Sequence, residues 1–206
     1  MTAFIHNFLK FFFLMTPFFV LSMYLSMTLG WEIKRKRVLA LRIGFAVLAI
    51  TMVLFFFGRW LFDVFGITLD AFRIGGGALL FLSAVGLVNG KVEDKKGEVI
   101  EDDSDEKISN ISVVPLAIPV TVGPGTTAAL LLFGAETSGI MNYLLNVCAL
   151  SAAAAALTLV LYIGTAIERK LGRNGILIVT KITGLILAAM AAQMIFTGIR
   201  SFLVVQ

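Results

Sequence analysis

The chain has one cysteine, Cys148, and one histidine, His6, in 206 residues. A lone cysteine forms no internal disulfide, and the apolar setting of Cys148 makes it a packing residue. There is no Ser/His/Asp set, no HExxH, no CxxC and no phosphate-cradling GxxxxGK[ST]. His6 precedes the first apolar run and reads as a solvated terminal residue. Asp63, Asp70, Glu136 and Glu168 all fall at the edges of apolar runs, so no acid or nucleophile is placed within a span, and an enzyme is not expected. Charge is scarce as well, at 15% of residues, against 59% hydrophobic residues, 18 phenylalanines and a mean hydropathy of +0.96. Those values exclude a soluble domain and describe an integral membrane protein. The net charge of +4 would suggest nucleic acid in a soluble chain, but here the basic residues gather in connections between apolar runs and reflect orientation in the membrane.

Spans of roughly 20 residues allow about six crossings in this length. The first runs from Phe8 to Leu29, too long for a signal h-region and without an A-x-A site after it, so it is retained. The others run from Val38 to about Phe62, about Phe72 to Gly90, Val113 to about Ala135, Asn142 to Ile167 and Ile176 to Ile199. The long polar segment 91–110 separates two halves, residues 1–90 and 111–206. Its core, Glu101 to Glu106, lacks EF-hand spacing and the EF-hand glycine, and reads as a solvated loop rather than a metal site.

The chain is organised around VVPLAIPVTVGPGTTAA, residues 113–129. It is uncharged, yet Pro115, Pro119, Gly123, Pro124 and Gly125 cannot hold a regular helix. Broken backbone at membrane depth is tolerated only where protein buries it or it lines a cavity, so the break marks a binding site. Free N–H groups after Gly125 would face an anion, and loose carbonyls before Gly123 a cation. Pro17, beside Thr16, breaks the first span in the same way. Laying the halves over each other matches Pro17 with Pro124, Gly58 with Gly164, Gly66 with Gly172 and Arg73 with Lys181, at separations of 106 to 108 residues. Three spans per copy is odd, so the second copy is inverted. The expected fold is an all-α membrane protein of six transmembrane helices in a 3+3 inverted-topology repeat, with the first and fourth helices broken at Pro/Gly. Thirteen Lys and Arg flank the first, third and fifth connections against four on the other side, which places both termini outside the cytoplasm.

VVPLAIPVTVGPGTT, the phrase Phe65-Gly66-Ile67 with Ala71-Phe72-Arg73-Ile74 and Gly76, and KITGLILAAMAAQMIFTGI from Lys181 to Ile199 resemble the MarC family of six-span membrane proteins over nearly the whole chain. The resemblance implies transport of small neutral amino acids across a cell (inner) membrane. In one place the chain departs from the family's first-helix pattern, Asn-Pro-x-Gly with a second proline: here Thr16-Pro17-Phe18-Phe19 is followed by Ser22, and Phe19 would narrow the first half-site.

The expected substrate site comprises Thr16, Pro17, Phe19, Thr121, Gly123, Pro124, Gly125, Thr126, Thr127 and Gln193. Arg73 and Lys181 are read either as snorkelling to the interface or as gating and anion-attracting groups, and Gln193 and Asn146 either as interhelical glue or as pathway lining. No metal and no organic cofactor is expected. Coupling to Na+, held by carbonyls and hydroxyls such as Thr121, Thr126 and Thr127, or no coupling at all, fits better than coupling to H+, because a carboxylate within the membrane is missing. Expected partners are a small-molecule substrate and membrane lipids, with homo-oligomerisation left open and no nucleic acid. A second reading is a carrier or binder of an anionic amphiphile such as a lipid phosphate. A lateral opening would favour it, and a closed cavity at the breaks the transporter.

Overall fold

The computed structural model describes residues 2–90, 117 and 121–204. Pro115, Pro119 and the acidic run 101–106 lie outside the described residues. The elements are α1 (Thr2–Leu14), α2 (Pro17–Met27), α3 (Ile33–Phe65), α4 (Leu69–Asn89), α5 (Pro124–Glu136), α6 (Ile140–Tyr162) and α7 (Gly164–Val204), with no strand among the described residues. Five segments are long and apolar enough to cross a membrane: Thr2–Met27 taken through its break, α3, α4, α6, and α7 up to Ser201. The chain is an all-helical, multi-pass integral membrane protein.

Burial sorts these helices. In α2 and α5 the apolar residues run all round the helix, and most of each is buried, as expected of a helix with no face to give to solvent. α3, α4, α6 and α7 surround them and turn Phe45, Val53, Leu82, Leu144, Leu185 and Phe196 outward, where lipid takes the place of a protein neighbour. Inward contacts are made by small residues, which let backbones approach. A Cβ on Gly58 would lie 2.1 Å from the Leu131 carbonyl oxygen, and one on Gly134 would lie 1.9 Å from that of Phe55, so α3 and α5 touch backbone to backbone at two levels. Gly77, Gly184 and Gly198 do the same along the α4–α7 seam, the most extensive in the bundle. Gly76 meets Ala128, whereas Gly75 faces open space.

Several boundaries differ from those expected. α1 begins at Thr2 rather than near Phe8, so His6 is helical. Lys34 to Arg37, expected in a connection, form the first turn of α3. The fifth span ends at Tyr162, and Glu168 to Gly175 belong to α7 except at Gly172, where φ 68 and ψ 169 kink it. In each case the charge marks where the chain leaves the apolar layer, while the helix continues because its hydrogen bonds are internal. Cys148 also departs from its expected role: it is exposed on α6 rather than packed inside.

Candidate functional site

α1 ends at Leu14, and α2 opens with Pro17 in its first turn, where a missing N–H costs nothing. Between them Thr16 takes φ 48 and ψ 54, the one positive φ among described non-glycine residues. Its carbonyl accepts from the N–H of Phe19 at 3.0 Å and of Val20 at 3.1 Å, which starts the second helix. α5 also opens with a proline in its first turn, Pro124, but its cap Gly123 has extended backbone, φ −78 and ψ 177, and the Thr127 N–H donates to the Gly123 carbonyl at 2.8 Å. Just before it the Val122 N–H donates to the Ala117 carbonyl at 2.9 Å, a wider turn than the α-helical one. By helix geometry the N–H groups of Gly125 and Thr126 have no intrahelical acceptor.

The first turn of α5 is bonded to the last residue of α1. The Thr126 hydroxyl donates to the Leu14 carbonyl at 3.1 Å in a buried position, taking up an acceptor that the end of α1 leaves without a helical donor. Thr16, Pro17, Phe19, Thr121 and Thr126 are all buried there, while Gly123 and Thr127 are half-buried and Pro124 is exposed. Gly125 has a packing reason of its own: a Cβ would lie 2.6 Å from the Leu80 Cα of α4.

At the end of the bundle where α1 begins and α5 ends, a cavity of about 430 Å³ lies among α1, α4, α5 and α7. Gln193 and Arg73 line it, with Lys10, Glu136 and His6. Arg73 is bound twice, its Nε donating to Glu136 at 2.7 Å and its Nη1 to Asp70 at 2.5 Å. It therefore ties the start of α4 to the end of α5. Lys181 is exposed on α7, a placement that suits snorkelling. Gln193 is exposed and lines a wall. A second cavity, of about 280 Å³, lies between α1 and α6. Asn146 sits in it and accepts from Asn7 Nδ2 at 2.7 Å while donating to the Thr137 hydroxyl at 2.9 Å. That chain joins α1, α6 and the end of α5, so Asn146 serves as interhelical glue.

Sequence reasoning did not find Lys10, Asn7, His6 or Glu136 as cavity residues. They come together from helices far apart in the chain, and the only local signal was a lysine set in a phenylalanine-rich run.

The model of the MarC family, described as "MarC family integral membrane protein", matches residues 1–203. Among curated proteins, a "UPF0056 membrane protein" of Methanocaldococcus jannaschii is 35% identical over 97% of this chain and 97% of its own length. One of Aquifex aeolicus is 32% identical over 97% and 94%, and one of Bacillus subtilis is 30% identical over 95% and 93%. No solved structure matches.

Proposed function

The chain belongs to the MarC family of integral membrane proteins, and from that premise we propose that it is a secondary transporter of small neutral amino acids or similar small zwitterionic solutes. The observation that carries this reading is the buried hydrogen bond from Thr126 to the Leu14 carbonyl, which ties the first turn of α5 to the end of α1, just before α2 begins at Pro17. α2 and α5 have 11 and 13 residues, about 16 and 20 Å, against a hydrocarbon layer of about 30 Å. Their N-terminal ends would then meet near mid-membrane, where their partial positive charge suits a carboxylate and the loose carbonyls before them suit an amine or Na+.

The inverted repeat belongs to this proposal, and the pairing of helices supports it. Exchange α1–α2 with α5, α3 with α6 and α4 with α7. The α4–α7 and α3–α6 seams map onto themselves, α3–α5 maps onto the contacts of α1 and α2 with α6, and α4–α5 maps onto α2–α7. Gly66 and Gly172, matched in the sequence, both have a positive φ, 63 and 68, although ψ is 23 at the first and 169 at the second. In this arrangement the protein lies in the inner membrane with both termini outside the cytoplasm, so the two cavities open outward.

The second reading, a carrier of an anionic amphiphile, draws on the seam between α1 and α7, which touch little and enclose Leu9, Phe13 and Met190 beneath Lys10 and Arg73. Against it, Arg73 is already neutralised by Asp70 and Glu136. Uptake and efflux of labelled amino acids in proteoliposomes, with sodium and pH gradients imposed separately, test the proposal. Saturable alanine movement is expected, and its absence under every gradient would overturn it.

A further inference from the structure

Both cavities are lined by the same three residues, Lys10, Phe133 and Glu136. The Lys10 ammonium lies 4.9 Å from the centre of the Phe133 ring, an attraction that fixes its position while leaving its donors unused. Lys10 makes no ion pair or hydrogen bond among the described residues, although Glu136, of opposite charge, faces the same spaces. Glu136 Oε1 receives Arg73 Nε, and Oε2 is left to accept elsewhere. A half-buried lysine and a carboxylate that share two cavities without pairing leave room for a molecule carrying both complementary charges. The cavity of about 430 Å³ falls in the usual range for small-molecule sites, roughly 300 to 1,000 Å³.

Resting on the transport reading above, we propose that Lys10 and Glu136 form a recognition site for the two charged groups of an α-amino acid zwitterion, in the mouth of the bundle and apart from the helix starts at Pro17 and Pro124. Lys10 donates to the α-carboxylate and Glu136 Oε2 accepts from the α-ammonium. Charge-assisted bonds of this kind are about twice as strong as neutral ones. A site built on two such bonds disfavours a compound that offers only one, because the other charge would go unpaired in the cavity. The side chain of the amino acid would rest against Phe13 and Met190, which line the deeper wall.

The test is calorimetric titration of the purified protein in detergent with alanine, propionate, which lacks the amine, and ethylamine, which lacks the carboxylate. Wild type should bind alanine at least tenfold more tightly than either. Lys10→Met keeps the stem on Phe133 and should lose that preference over ethylamine, while Lys10→Arg should stay within about threefold of wild type. Glu136→Gln should lose the preference over propionate. Equal binding of all three by wild type would overturn the site without any variant having to fold, and so would wild-type alanine affinity in monodisperse Lys10→Met. Proteoliposome transport run in parallel separates the two failures. Normal alanine transport by Lys10→Met removes only this site, whereas no amino acid transport by wild type removes the reading it rests on.

Discussion

Thr16 holds a backbone conformation that suits asparagine or glycine better than a β-branched residue. Relief of that strain is of the order of 1 kcal/mol, so Thr16→Asn should raise the thermal unfolding temperature in detergent by a few degrees; a fall would show that the threonine side chain makes a compensating contact. Thr126 acts in the opposite sense. Thr126→Val keeps the shape but leaves the Leu14 carbonyl without its donor, which costs roughly 1 kcal/mol, while Thr126→Ser keeps the bond. Thermal shift and alanine transport should both fall for valine and hold for serine. The Arg73–Glu136 pair is about a quarter exposed, and ion pairs in such settings contribute about 0 to 1 kcal/mol. The exchange Arg73→Glu with Glu136→Arg leaves Asp70 facing a glutamate, so it should restore stability only in part relative to either single change, as a double-mutant cycle would read.

Glycines in the helices separate contact from tolerance. Gly134 and Gly75 are both helical, yet one meets the Phe55 carbonyl and the other meets nothing within 4 Å. Gly134→Ala should therefore push α5 from α3 and lower thermal stability by several degrees, and Gly75→Ala should be neutral or slightly stabilising. Equal effects would mean that the α3–α5 seam is looser than described. The same residues show what sequence could reveal. The helix start at Pro124, with Gly123 as its cap, was legible because glycine and proline act on backbone locally. Helix ends at Lys34–Arg37 and Glu168–Gly175 were not, because hydropathy reports where the membrane stops and a helix can run on past that point. Gly125 was expected in the substrate site, and the α4 backbone at Leu80 could not be foreseen from its own neighbourhood. Gly125→Leu thus reports on packing as well as on the site.

At the scale of the molecule, the two halves meet each other far more than they meet themselves, and neither half closes a core alone. This is why the cavity residues Lys10 and Glu136 were out of reach of the sequence: each meets a residue of the other half, Phe133 and Arg73, and no spacing within one helix records that. The proposed orientation predicts that a cysteine at Ser104, which lies outside the described residues, is labelled only from the cytoplasm, and that a reporter after Gln206 is active outside. Labelling at Ser104 by an impermeant reagent in intact cells would reverse it. Whether the two half-helices flank a site reached alternately from both faces is decided by thiol labelling at their first turns. With Cys148 replaced by alanine, single cysteines at Phe18 and Thr127 should react with impermeant reagents applied from either side of sealed, oriented vesicles, and saturating alanine should slow both reactions severalfold. Labelling from one face only, or rates indifferent to alanine, would rule out an alternately accessible site at these helix starts.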